Sequence, residues 1–266
     1  MSVRRAIQAW PTLLKVSFAE AVAYRAEFLI WIMTTTMPFI MMALMTSLAR
    51  EAPVKGYGVD EFQAYYLATL LVRLLTGAWV VWEMTTEIRQ GTMALRLLRP
   101  IHPFVSYASD NLAALPLRGI LAIPLIASIL VFAGDGVSKD PTHWTLAMIA
   151  VFDAWLLNFL IMCCIGCLAF LVESAVSVFE VWLGIWVLLS GYLVPLDLFP
   201  PWVERTTGWL PFRLMLDLPV SILLGKHDVG SALAWIGLQW LWIGAFALLV
   251  TFLWRLGMRR YQAFGG

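Results

Sequence analysis

Two cysteines with the spacing of a redox or metal motif lie in the second half of the chain. Cys164 and Cys167 form a C-x-x-C, and Cys163 directly precedes them. Such a pair can carry disulfide exchange or bind zinc. The surrounding residues are apolar, with no histidine or carboxylate close in the sequence. We therefore interpret the three cysteines as small, polarizable packing side chains.

Catalytic motifs are missing from the sequence. The three histidines, His102, His143 and His227, fall in segments that we predict to be loops, whereas an intramembrane serine protease needs a histidine at membrane depth. The sequence has no H-E-x-x-H motif of a zinc protease and no G-x-x-x-x-G-K-[ST] loop for nucleotide phosphates. We predict a non-catalytic protein with no cofactor of its own.

Two charged residues, Arg73 and Asp153, lie inside apolar stretches. A charge within a membrane span is costly and is a functional candidate by default. Counting inward at 1.5 Å per residue from the outer ends of these stretches places both residues ~12 to 14 Å deep, where they could face each other. They are either a polar element of a transport pathway or a structural ion pair that fixes helix register, and the sequence leaves both open.

Composition indicates the medium in which these residues must be positioned. Of the 266 residues, 61% are hydrophobic and only 13% are charged, and the mean hydropathy is +0.82. Soluble globular domains carry about 25% charged residues. The net charge of +1 also gives no support for nucleic-acid binding, which needs a strongly basic face. The chain belongs to the membrane class.

Six apolar stretches are long enough, or nearly long enough, for the ~20 residues that a transmembrane helix needs. We predict an all-α polytopic membrane protein with a single transmembrane domain over residues 1–266. The predicted spans are 26–48, 64–83, 111–133, 145–172, 174–195 and 232–256.

Basic residues predict the orientation, because they are enriched in cytoplasmic loops. With a cytoplasmic N-terminus, ten Lys and Arg residues lie inside and six lie outside. We therefore predict that both termini are cytoplasmic.

The residues before the first span have the pattern of an amphipathic helix. Apolar residues recur there at spacings of three and four, at Ile7, Trp10, Leu14, Phe18 and Ala21. We predict an interfacial helix over residues 1–25, attracted to the inner membrane surface by its basic residues. A solvated N-terminal helix is the alternative.

The longest cytoplasmic connection, residues 84–110, is named the coupling segment below. Gly91 and the prolines Pro100 and Pro103 divide it and leave residues 92–99 as one short helix that ends before proline. Leu95 and Leu98 share one side of this helix, and we expect Arg96 and Arg99 to project basic charge from it. A short, charged helix at the inner membrane face suits docking on another protein, although basic loops also serve only as topological determinants.

The connection over residues 195–231, named the outer segment below, is too apolar for a free loop and too interrupted by proline to span. Prolines open helices readily, so we predict two short helices that begin at Pro201 and Pro211 and dip into the outer leaflet. Irregular backbone at membrane depth must be buried in protein or line a water-filled cavity. The outer segment is therefore expected to cover a pathway.

Two motifs resemble a known family. The run EIRQGTMALRLLRPIHPF covers residues 87–104, and the run LSGYLVPLDLFPPWVERTTGWLPFRLMLDLPVSILLGK covers residues 189–226. Together with the six spans and the amphipathic start, they are similar to the type-2 ATP-binding-cassette (ABC-2 type) transporter permeases, the membrane subunits of bacterial ABC exporters. The second run is the more specific of the two, because its prolines and aromatic residues match the family pattern at many positions, which is unlikely by chance.

The resemblance implies a half-transporter in the bacterial cytoplasmic (inner) membrane. Its partners would be two copies of an ABC ATPase that carries ATP and Mg, a second permease subunit that is homologous or identical, and membrane lipid. The matching ATPase-coupling residues are Glu87, Arg89, Arg96 and Arg99. The matching outer re-entrant gate residues are Pro195, Phe199, Pro200, Pro201, Trp202, Pro211 and Phe212.

Three functional hypotheses follow. The first is the permease subunit of an ATP-driven exporter with an amphipathic or hydrophobic cargo. The second is an ion-coupled secondary transporter that uses Arg73 and Asp153, and the third is a structural membrane subunit that transports nothing.

Overall fold

The computed structural model describes residues 3–23, 36–132 and 136–261. In these ranges the regular structure is helical, apart from one isolated bridge between Val54 and Tyr57, so the all-α prediction is confirmed there. The helices are α1 (Val3–Ala23), α2 (Met37–Glu51), α3 (Val59–Thr76), α4 (Val80–Arg89), α5 (Met93–Leu97), α6 (Pro103–Ala113), α7 (Leu115–Phe132), α8 (Pro141–Cys167), α9 (Ala175–Leu189), α10 (Pro201–Trp209), α11 (Pro211–Met215), α12 (Asp217–Leu223) and α13 (Val229–Arg260).

Four helical runs of the described chain are long and apolar enough to cross a membrane. They are Val59–Arg89, Pro103–Phe132, Pro141–Phe170 and Val229–Arg260. Each overlaps a predicted span but is longer than predicted. The chain is therefore a multi-pass membrane protein.

The predicted count of six spans is not confirmed. The first predicted span, 26–48, begins among residues 24–35, which lie outside the described ranges, as does the end of the predicted interfacial helix. The described part is α2, with 15 residues, and α9 in the fifth predicted span also has 15. Fifteen residues cover only ~23 Å, less than the ~30 Å of hydrocarbon.

Side-chain caps explain why the long helices begin before the apolar stretches do. His102, Asp140 and Asp228 each accept a hydrogen bond from the backbone N–H two residues further on. A proline follows His102 and Asp140 at the first helical position, where it loses no helical hydrogen bond. The third span thus begins at Pro103, within residues predicted as a cytoplasmic connection.

Helix α8 is the centre of the fold. Its sequence is apolar around most of its circumference, and it packs against α3, α4, α9, α11, α12 and α13. A helix that is apolar on all sides belongs inside a bundle. Helix α4, which leads into the coupling segment, and helices α11 and α12 of the outer segment therefore all pack on one central helix.

The second span is interrupted between α3 and α4. The last carbonyl groups of α3 cannot all be paired within the helix, because residues 77–79 are not helical. Asn158 Nδ2 donates to the Thr76 carbonyl at 2.8 Å, and Arg118 Nη1 donates to the Gly77 carbonyl at 2.6 Å. The interruption is tolerated because α7 and α8 supply the missing donors.

Two glycines of α13 test how closely this bundle is packed. A Cβ added at Gly257 would lie 2.8 Å from Phe170 Cγ, whereas a Cβ at Gly244 meets nothing within 4 Å. We expect Gly257→Ala to destabilise the protein by about 1 to 3 kcal/mol through overpacking, and Gly244→Ala to leave stability equal or slightly higher. Thermal unfolding of both variants in detergent measures the difference. Equal stabilities would contradict the close packing of α13 on Phe170.

Candidate functional site

The coupling segment forms a tight helical turn. Helix α4 ends at Arg89, and Gly91 adopts a φ of +74°, which favours glycine because it has no Cβ. The five-residue helix α5 follows, and the chain enters α6 after Pro100. The chain thus reverses direction within about a dozen residues.

Glu87 and Arg96 form the hydrogen bonds that hold this turn together, and these contacts are named the internal ties below. Arg96 Nε donates to Glu87 Oε1 at 3.0 Å, and the hydroxyl of Tyr107 donates to Glu87 Oε2 at 2.6 Å. Arg96 Nη1 also donates to Ser106 Oγ at 2.9 Å, and its guanidinium lies 4.1 Å from the Tyr107 ring centroid. These charge-assisted bonds hold α5 against α4 and α6.

The amphipathic helix α1 is tied to the same cluster. Ser17 Oγ donates to Asp110 Oδ1 at 2.6 Å, and Arg96 Nη1 lies 3.7 Å from Asp110 Oδ2. Helix α1 packs along α6. The described part of the predicted interfacial helix therefore contacts the coupling segment directly.

The opposite face of α5 is exposed. Leu95 is 65% exposed and Leu98 is 82% exposed, whereas Met93 on the inner face is fully buried. Arg89 and Arg99 are also exposed. The four predicted coupling residues therefore divide into two pairs. Glu87 and Arg96 face inward, which corrects the expectation that Arg96 projects its charge, and Arg89 and Arg99 are exposed beside the two leucines.

The outer segment contains three short helices. Helices α10 and α11 begin at Pro201 and Pro211, the positions at which the sequence predicts helix starts, and α12 is additional. Helix α12 is fully buried against α8, while Trp202 and Trp209 of α10 are 71% and 76% exposed. Exposed tryptophans on an amphipathic helix are typical of a membrane–water interface.

The predicted gate residues occupy different depths in this segment. Pro195 and Pro211 are buried, Phe199 and Phe212 are half-buried, and Pro200, Pro201 and Trp202 are exposed. Some of these residues therefore lie on the surface at the start of α10, and others lie in the interior of the outer segment.

A cluster of charges holds the outer segment against Tyr57 in the loop before α3. Lys226 Nζ lies 2.7 Å from Asp197 Oδ2 and also donates to the Tyr57 hydroxyl, which donates to Asp197 Oδ2 at 2.9 Å. Arg213 pairs with Asp217 at 3.0 Å and lies 3.9 Å from Asp197 Oδ1. Burial lowers the pKa of Lys226 to about 8, so the ammonium is still mostly charged at neutral pH.

Backbone groups in the outer segment and just before it are also paired with helical side chains. The hydroxyls of Tyr65 and Tyr66 donate to the carbonyl groups of Gly191 and Leu193 at 2.6 and 2.7 Å. Gln239 Nε2 donates to the Leu214 carbonyl at 2.9 Å and to the Ala150 carbonyl at 3.1 Å. The irregular backbone is thus satisfied by protein, as membrane depth requires.

Arg73 and Asp153 contact different aromatic side chains. The Arg73 guanidinium lies 4.9 Å from the Trp186 ring centroid on α9, and the Asp153 carboxylate is hydrogen-bonded by Trp240 on α13. These contacts direct the two residues toward different neighbouring helices. Their functional role stays a prediction.

Sequence analysis missed the partners that hold both segments. Tyr107, Ser106 and Asp110 support the coupling segment, and Tyr57 supports the outer one. Polar residues at helical spacing of three or four in an apolar stretch were the available signal for the first group. Tyr57 lies 140 residues from Asp197, and no local pattern indicates that contact.

A known family matches most of the chain. The family model described as ABC-2 family transporter protein covers residues 30–265. No curated protein matches the chain.

Arg96 and Arg99 form a matched pair of variants. Arg96→Ala removes the bonds to Glu87 and Ser106 and leaves a half-buried carboxylate, so we expect it to destabilise the protein by about 2 kcal/mol. Arg99→Ala removes an exposed side chain and should change stability by less than about 0.5 kcal/mol. Thermal unfolding in detergent compares them. Equal losses would contradict the inward role of Arg96.

Asp197→Asn tests the charge cluster of the outer segment. The amide cannot form ion pairs with Lys226 and Arg213, so we expect backbone amides of residues 195–210 to exchange hydrogen several-fold faster. Glu204→Gln, which removes a carboxylate of α10 outside this cluster, should leave exchange unchanged. Hydrogen exchange measured by mass spectrometry makes the comparison, and unchanged protection in Asp197→Asn would refute the role of the cluster.

Proposed function

Because the chain belongs to the ABC-2 family of transporter proteins, we propose that it is the permease subunit of an ATP-driven exporter. Membership makes it a non-catalytic membrane subunit of an ABC transporter and implies an ABC ATPase as its partner. Export, the cargo and the manner of coupling belong to the proposal.

The exposed face of α5 is the observation that carries the proposal. Leu95 and Leu98 present two large apolar side chains to water on a five-residue helix, flanked by the cations Arg89 and Arg99. Apolar anchors surrounded by charge are typical of a protein interface. The fixed position of α5 means that little conformational freedom is lost on docking.

Motion would pass from the ATPase into the membrane through the internal ties. The partner binds and hydrolyses ATP with Mg, and closure of its two copies would displace α5. Glu87 and Arg96 join α5 to α4, which packs on the central helix α8. Tyr107 and Ser106 join the same turn to α6 and hence to the third span. A push on α5 therefore acts on two spans together.

The remaining parts complete a half-transporter. A second permease subunit, homologous or identical, would form the other half of the pathway in the bacterial inner membrane, with both termini cytoplasmic. The outer segment would cover the exit, and the apolar spans favour an amphipathic or hydrophobic cargo.

The family match favours the permease over the alternative of an ion-coupled carrier. Such a carrier would use Arg73 and Asp153 as one charge-handling site. These side chains contact aromatic residues on α9 and α13 respectively.

A double variant tests the docking face. In Leu95→Ala/Leu98→Ala the internal ties remain, but the apolar anchors are lost. We expect at least a tenfold drop in the ATPase that co-purifies with the tagged protein in mild detergent, together with the loss of the associated ATP hydrolysis. Mass spectrometry identifies the co-purifying chain.

Val172→Ala is the control, because Val172 is an exposed apolar residue just after Leu168–Phe170, which packs against α4. It should retain the ATPase. Retention by the double variant, with unchanged ATP hydrolysis, would exclude α5 as the docking site. A protein that purifies without any ATPase in the unmutated form would exclude the exporter proposal itself.

A further inference from the structure

A deep apolar groove lies between α7 and α8. Both helices pack on α3, whereas they make little contact with each other, so α3 forms the floor of the groove. Leu71 and Leu75 lie on this floor, and Pro219 and Leu223 of α12 also line the groove. The groove has a volume of about 350 Å³ and is independent of the coupling segment.

The lining indicates the chemistry of an occupant. Its side chains are aliphatic or aromatic almost throughout, with Trp144 and Trp155 on the α8 wall. A membrane helix that docks on another helix usually does so through small residues, which allow the backbones to approach. Ala147 is the small exception among large lining side chains. A flexible hydrocarbon chain therefore suits the groove better than another helix.

The length of the groove matches one leaflet. The α8 wall extends from Trp144 to Trp155, and the facing wall extends from Leu112 of α6 to Ile126 of α7. The eleven-residue rise of the α8 wall is ~16 Å at 1.5 Å per residue. Half of a ~30 Å hydrocarbon core is about 15 Å.

The groove is continuous with the surface that faces lipid. Ile123 on α7 and Met148 and Phe152 on α8 are exposed apolar side chains on spanning helices, and Met148 and Phe152 also line the groove. Because spanning helices must place such side chains in hydrocarbon, an acyl chain reaches the groove from the bilayer without crossing water.

A cationic side chain lies at the mouth of the groove, beside the carboxylate of Asp140 that caps α8. Trp144 Nε1 donates to the Ser138 carbonyl at 2.8 Å, which folds residues 138–140 over the start of α8. The next residue, Lys139, is exposed there. Lipid phosphates are anionic, and Lys beside Trp is a common anchor at the membrane interface.

We propose that this groove binds one acyl chain of a phospholipid from the leaflet on the side of the outer segment, with the phosphate near Lys139. The bound lipid would fill the space between α7, α8 and α12 and so support the buried part of the outer segment. The site lies outside the proposed ATPase interface and does not depend on it.

Photo-crosslinking tests the proposal. The full chain, with any co-purifying ATPase, is placed in nanodiscs of phosphatidylcholine and phosphatidylglycerol that contain a phosphatidylglycerol probe with a diazirine in its acyl chain. We expect labelled peptides from the groove walls of α7 and α8 to exceed those from exposed α13 residues such as Phe252 by at least fivefold. No transport cargo is present in this synthetic bilayer, so labelling reports membrane lipid.

Filling the groove should remove this labelling. Val151→Phe adds bulk from the α8 wall, and Leu115→Trp adds bulk from the opposite wall in case the first variant fails to fold. Val131→Phe, at an exposed position of α7 outside the groove lining, is the matched control and should keep the labelling. Thermal unfolding identifies the variants that are folded.

The results of these experiments distinguish a lipid in the groove from other occupants. Even labelling of all exposed apolar faces, or labelling that persists in folded Val151→Phe and Leu115→Trp, would overturn the lipid site. Absence of lipid labelling together with crosslinks between two chains at α7 would assign the groove to a second copy instead. Lys139→Gln should lower labelling by the phosphatidylglycerol probe relative to a diacylglycerol probe, which carries the same diazirine chain but no phosphate, and an unchanged ratio would refute the phosphate contact.

Discussion

The structure depends on the requirement that every backbone polar group at membrane depth finds a partner within the protein. The interruption after α3 places this requirement in the middle of the second span. Arg118 and Asn158 meet it by donating to the Gly77 and Thr76 carbonyl groups. Because the donors belong to α7 and α8, the interrupted span is joined to both neighbouring spans by hydrogen bonds as well as by packing. Hydrogen bonds at the interruption therefore connect the second span to the third and fourth spans at one membrane depth.

Both ends of the molecule follow the same rule with different chemistry. At the coupling segment, the half-buried charges of Glu87 and Arg96 are paired with each other, and the apolar side chains of Leu95 and Leu98 stay exposed. At the outer end, Tyr65 and Gln239 donate to the backbone carbonyl groups of Gly191 and Leu214. Partners within the protein fix the irregular segments, so an exposed face on either segment keeps a defined position. A surface with a defined position can transmit force, whereas a free loop cannot.

The sequence predicts those features that local chemistry determines. Apolar length predicts the four long helices, and proline predicts the starts of α10 and α11. Features that depend on distant residues could not be predicted. The apolar pattern continues across Gly77, so the interruption leaves no local signal, and the inward orientation of Arg96 depends on Tyr107 in the following helix. The early start of the third span depends on the His102 cap, which composition alone does not indicate.

The central position of α8 explains how events at the two ends can be related. Helix α4 brings the coupling segment to one part of α8, and α12 brings the outer segment to another. Packed helices move as rigid bodies with small shifts, because close-packed interiors deform little. A displacement of α4 is therefore opposed by the contacts of α8 with α12 unless both move together. The apolar groove beside α8 borders α12 as well, so its occupant would resist or permit the same motion through contacts with Pro219 and Leu223.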